Sequence, residues 1–111
     1  MIKIKRGSTP NITITVHAPF EGVKEVNFIF KDRPDEYGRE MLKKEYKENI
    51  PVKEGDTTSE FKVTMKLSRE ETLRLSVGEA YMDTQVIYAN GDIPQTKIVD
   101  IEVTDTFFEG K

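Results

Sequence analysis

The 111-residue sequence has no cysteine, no tryptophan and a single histidine. Without cysteine there is no disulfide framework, no thiolate nucleophile and no Cys-ligated zinc. The lone His17 excludes a His-based metal site and has no Ser–acid pairing near it in sequence. It stands at the outward parity of a strand end. There is also no cationic excess. Lys and Arg number 17 against 20 Asp and Glu, for a net charge of −3. Binding to a phosphate backbone needs clustered positive charge, and the densest basic run, "KIKR" at Lys3 to Arg6, fits a solvated strand face. No apolar run approaches the roughly 18 residues of a membrane helix. The opening "MIKIKRGST" has no apolar h-region, so no signal peptide is expected.

What is present is alternation. Hydrophobic residues make up 36% and charged residues 33% of the chain, which predicts one domain over residues 1–111 with a thin core and a charged surface. In "NITITV", Ile12, Ile14 and Val16 fall on one face and Thr13 and Thr15 on the other. In "KEVNFIFK", Val26, Phe28 and Phe30 align, while Ile29 interrupts the polar face. In "EFKVTMKL", Phe61, Val63, Met65 and Leu67 alternate with Lys62, Thr64 and Lys66. A helix would scatter these residues, whereas a strand gathers them on one side. The run from Glu40 to Val52 satisfies both periods. Its neighbours and Pro51 favour a strand, an edge strand with inward charges.

Turn chemistry separates these runs at "HAPFEG", "DRPDEYG" and "KEGDTTS". In "LSREETL", Ser68 and Glu71 have capping-box spacing, predicting a helix of one or two turns that crosses between sheets. Asn90-Gly91 suits a two-residue type I′ turn. That turn would set Tyr88 opposite Ile93, Met82 opposite Val99 and Ala80 opposite Ile101, all on one face. The middle of the hairpin fits less well, and Pro94 removes a ladder donor, so a bulge or a projecting tip is expected. Strands are predicted near 2–5, 11–17, 24–31, 40–48, 60–67, 79–89 and 95–104. The result is an all-β, immunoglobulin-like β-sandwich of about seven strands with one short helical crossover.

No constellation carries chemistry. Asp32, Asp35 and Glu36 lack calcium-loop spacing. Asp100 and Glu102 share an outward parity and form a charged face, with Asp105 at the strand exit. "RGST" at Arg6 to Thr9 lacks the second glycine and lysine of a phosphate loop. No catalytic, cofactor-binding or metal-ligating residue is assigned, and no enzyme is expected. Tyr88 reads as core. Tyr81, at the outward parity, is the open aromatic suited to a contact. Phe107 and Phe108 are adjacent, so a strand would send them to opposite faces. One of them is left for a neighbouring subunit. Ile2 and Ile4, on the first strand, complete the candidate interaction residues.

The segment from Leu67 to Gly110 resembles the C-terminal half of small structural proteins from tailed phages and prophages of Gram-positive bacteria. The matching residues are Leu67, Thr72, Leu73, Gly78, Asn90, Gly91, Val99, Ile101, Val103 and Gly110. The opening "IKIKRGST" is similar to the start of phage tail and baseplate proteins. Asp83, Gln85 and Lys111 depart from that pattern, and no functional residue carries over. The resemblance implies a non-enzymatic virion protein, made in the host bacterial cytoplasm. It would bind other virion proteins or copies of itself, the latter making a homo-oligomer, and neither nucleic acid nor membrane. The alternative is a carbohydrate-binding or adhesion-type module using Tyr81 and the loops.

Overall fold

A computed structural model describes residues 2–35, 37–47, 50, 52, 60–93 and 98–105. Among these residues, seven strands and one helix follow in order: β1 (Ile2–Lys5), β2 (Asn11–Val16), β3 (Val23–Lys31), β4 (Glu40–Tyr46), β5 (Phe61–Lys66), α1 (Arg69–Leu73), β6 (Gly78–Tyr88) and β7 (Val99–Thr104). One sheet has the order β1-β7-β6-β3-β4, and β2 and β5 form the second. The long strands β3 and β6 pair at the centre of the larger sheet, β7 follows β6 as a hairpin, and β4 extends the other side. The two terminal strands pair in parallel, Ile2 with Ile101 and Ile4 with Val103. This is an immunoglobulin-like β-sandwich.

The alternation seen in the sequence becomes the core. Val26, Phe28 and Phe30 from the larger sheet meet Phe61, Val63 and Met65 from the smaller one, all fully buried. Each such side chain contributes about 1.5–3 kcal/mol of burial. Phe20 closes one end edge-on against Phe61, at a ring-centroid separation of 5.1 Å.

Helix α1 carries β5 across to β6. Both halves of its capping box form. The Glu71 N–H donates to Ser68 Oγ at 3.1 Å, and the Ser68 N–H donates to Glu71 Oε1 at 2.8 Å. The β1–β2 turn locks onto this helix. Arg6 Nη2 donates to the Leu73 carbonyl at 2.9 Å, and the Gly7 N–H donates to the buried Thr72 hydroxyl at 2.9 Å. "RGST" and "LSREETL" are therefore tied together by hydrogen bonds that span 67 and 65 residues of sequence.

The stretch from Glu40 is the edge strand expected. Lys44 faces inward and donates to both Glu71 carboxylate oxygens, at 2.9 and 2.8 Å. Val52 then makes an isolated antiparallel bridge to Val63, on the outer side of β5.

The last hairpin has the predicted register at its base, where Ala80 faces Ile101 and Met82 faces Val99. Its tip differs. The Gly91 N–H donates to the Tyr88 carbonyl at 2.9 Å, and the Tyr88 N–H to the Asp92 carbonyl at 3.0 Å. Three residues form the loop, Gly91 has φ of 92°, and Tyr88 is aligned with Asp92 rather than Ile93. The type I′ expectation is corrected to a turn closed by a glycine bulge, which suits a single residue at positive φ. Ile93 is left exposed.

Candidate interaction surfaces

The outer face of the larger sheet follows from parity. It carries Glu79, Tyr81, Asp83 and Gln85 on β6, with Asp100 and Glu102 on β7. Cross-strand register sets Glu79 opposite Glu102 and Tyr81 opposite Asp100. Like charges directly opposite are unfavourable. Among the described residues no ion pair engages these four carboxylates. The Tyr81 hydroxyl is held above its usual range by Glu79 first, then by desolvation and Asp100. Asn27 lies two rows along the same face and is nonetheless buried. Its Nδ2 donates to Gln85 Oε1 at 3.1 Å, and its Oδ1 has no partner.

The other sequence candidates separate. Ile4 is 1% exposed and belongs to the core, and Ile2 packs half-buried beside it. Their side chains seal the seam between β1 and β7, so Ile4 presents no surface to a partner. Phe107 and Phe108 lie outside the described residues. His17 is exposed and meets Glu60 at 3.6 Å. Tyr88, read as core, is half-buried. Its hydroxyl donates to the Pro19 carbonyl at 2.6 Å and pins the β2–β3 loop to the end of β6. Burial raises its pKa. Beside it, Ala18, Pro19, Asn90, Asp92 and Ile93 complete an open recess of about 480 Å³. The polar groups of that recess are committed to one another, with Asn90 Nδ2 donating to Asp92 Oδ2 at 3.1 Å.

The sheet edges offer the sharper contrast. An edge strand presents unpaired backbone groups, which folded proteins guard with charges, bulges, short length or cover. Strand β1 is four residues long with two lysines. Strand β4 has Lys43 and the inward Lys44, and its pairing is shifted at Phe30/Lys31. Strand β5 is bridged by Val52 and carries Lys62 and Lys66. Strand β2, "NITITV", has no charge, glycine, proline or register shift over six residues. Sequence reasoning missed this edge. The signal was legible as an uncharged β-branched run between Pro10 and His17, but which strand becomes an edge depends on the topology.

Among the described residues, no group of three or more His, Asp or Glu could hold a metal ion. No helix there is long and apolar enough to cross a membrane.

No protein-family model matches the chain, and no curated protein matches it. Among solved structures, the chain is similar to the extracellular domain of the voltage-gated sodium channel beta4 subunit, at 14% identity and a TM-score of 0.40. The match covers 96% of this chain and 91% of that one. That protein is described as forming parallel homodimers that explain its role in cell–cell adhesion.

Proposed function

We propose that the chain is a non-enzymatic assembly module, and specifically a structural protein of a tailed phage or prophage that acts through protein–protein contacts in the virion. The unguarded backbone edge of β2 carries the assembly reading, because a sandwich that protects its other three edges leaves this one ready to pair. The resemblance of "IKIKRGST" and of the Leu67–Gly110 segment to phage structural proteins supports the virion setting. Partners are other virion proteins or copies of the chain. Tyr81 and the Phe107–Phe108 tail are further contact points.

The test is proteomic. Particles induced from the bacterium that encodes the chain should contain it in fixed stoichiometry to the tail or capsid proteins. Its absence from purified particles would defeat the virion reading. For the tail, deletion of residues 105–111 should lower the mass in solution, and an unchanged mass would remove Phe107 and Phe108 from the interface.

A second reading, a saccharide-binding module, is favoured by the recess beside Tyr88, where an aromatic ring adjoins Asn90 and Asp92. Those polar groups already bond to one another, which ranks it second. Specific glycan-array binding abolished by Tyr88→Ala would promote it.

A further inference from the structure

The open edge of β2 has a geometry that selects its occupant. The Leu67 N–H donates to the Pro10 carbonyl at 3.1 Å, continuing the β2–β5 register. In an antiparallel pair, directly opposed residues alternate between bonded and non-bonded pairs. Ile12, Ile14 and Val16 therefore exchange their backbone bonds with β5. The N–H and C=O groups of Asn11, Thr13 and Thr15 point the other way, and no partner for them occurs among the described residues. The same edge is where the core is least sealed. Ile12 is 7% and Ile14 is 8% exposed, the two largest values among the buried apolar residues.

We infer that β2 pairs antiparallel with β2 of a second copy of this chain, about a two-fold axis at Thr13. This rests on the assembly reading above and names its partner and surface. In that register Thr13 faces Thr13, Asn11 faces Thr15 and Ile12 faces Ile14. The edge-facing backbone groups then meet one another, and the apolar faces stay on one side. The strand carries no charge to oppose its own copy. The joined sheet runs β5-β2-β2-β5, and the bridge from Val52 on each outer β5 stops further addition. The contact is isologous and closes at two copies. One strand edge buries little area, so the dimer is weak and concentration-dependent.

Because the chain has no cysteine, single-cysteine variants report the surface directly. Thr13→Cys should form a disulfide-linked dimer under mild oxidation, since residues facing across an antiparallel pair lie within disulfide reach. Lys31→Cys, on the outer face of the larger sheet, should not. Thr13→Lys should weaken wild-type dimerisation, read by sedimentation equilibrium, about tenfold or more while leaving the circular dichroism and melting temperature near wild type. Thr13→Pro removes the edge-facing donor without touching a bond to β5, and should do the same. If the chain dimerises but Thr13→Cys cross-links no faster than Lys31→Cys, the β2 interface is wrong and the assembly reading stands. A partner found only as another protein's strand on β2 also overturns the two-fold pairing. A wild-type monomer at millimolar concentration overturns self-pairing, and the particle proteomics above then decides the broader reading.

Discussion

Among the described residues, Lys44 and Glu71 form the least exposed ion pair, with side chains each 22% exposed. Desolvation would raise the Glu71 pKa, but the hydrogen bonds from Lys44 and from the Ser68 N–H outweigh it and hold the carboxyl below its ordinary 4.5. The folded state thus binds this proton less tightly than the unfolded chain does. The resulting stabilisation is complete above about pH 4.5 and disappears as pH falls through the lower, folded value. Urea titrations of wild type and Glu71→Gln should differ at pH 7 and converge once the pH falls below the folded value. A difference that persisted under full protonation would assign the effect to packing. Lys44→Met keeps the stem and removes the charge, and should cost about 1.5–3 kcal/mol at pH 7, the range for a hydrogen bond to a charged group. Tyr88→Phe deletes a neutral hydroxyl bond to Pro19 and should cost less, about 0.5–1.5 kcal/mol. Its mark is local: faster amide exchange at Ala89, whose N–H donates to Gly22.

At the scale of elements, α1 shows how a five-residue helix survives. Its length is far below what an isolated helix needs, so its stability comes from its caps and its neighbours. Ser68→Ala should cost about 1 kcal/mol through loss of the cap. Thr72→Val removes the acceptor of the Gly7 N–H and the donor to the Ser8 carbonyl, at 2.9 and 3.0 Å. It should cost about 1–3 kcal/mol, because a part-buried donor is stranded. The double variant measured by urea unfolding should fall short of the summed costs, since both substitutions loosen one short helix. This element was legible down to its bonds because a capping box is local: two residues three apart state the whole device. The strands were legible for a similar reason, as alternation at Phe61, Val63 and Met65 needs no partner to be read. The hairpin was legible at its base and not at its tip. The shared parity of Met82, Val99, Ala80 and Ile101 fixed the former, while the latter depended on which carbonyl Gly91 would bond. The candidate site was the least legible part. Ile2 and Ile4 look exposed in a strand that reads as peripheral, and only parallel pairing with β7 turns them into seal. The edge character of β2 exists only once β1 has gone to the opposite sheet.

That last placement governs the whole molecule. By joining β7, strand β1 ties the two ends of the described chain together and covers an edge that would otherwise run along Val99–Thr104. Strand β7 has two acids on its outward face, Asp100 and Glu102, and the inward Ile101 and Val103 are buried. Without β1 its backbone groups would open over six residues, as in β2, with only the charges of Asp100 and Glu102 as a guard, and the molecule would expose an edge of that length on each sheet. One open edge closes as a pair, whereas two permit indefinite addition. Removal of residues 1–5 should therefore do two separable things. It should lower stability by about 2–5 kcal/mol, comparable to the loss of a buried isoleucine, and it should convert a closed, reversible association into growing aggregates. Ile4→Ala provides the control. It should cost a similar 2–5 kcal/mol while keeping the β1 backbone in place over β7. Light scattering after equal destabilisation, set by matched urea, distinguishes the two. Growth in the deletion alone assigns the role of β1 to guarding the edge. Equal growth in both would mean that lost stability, and not an opened strand, drives the aggregation.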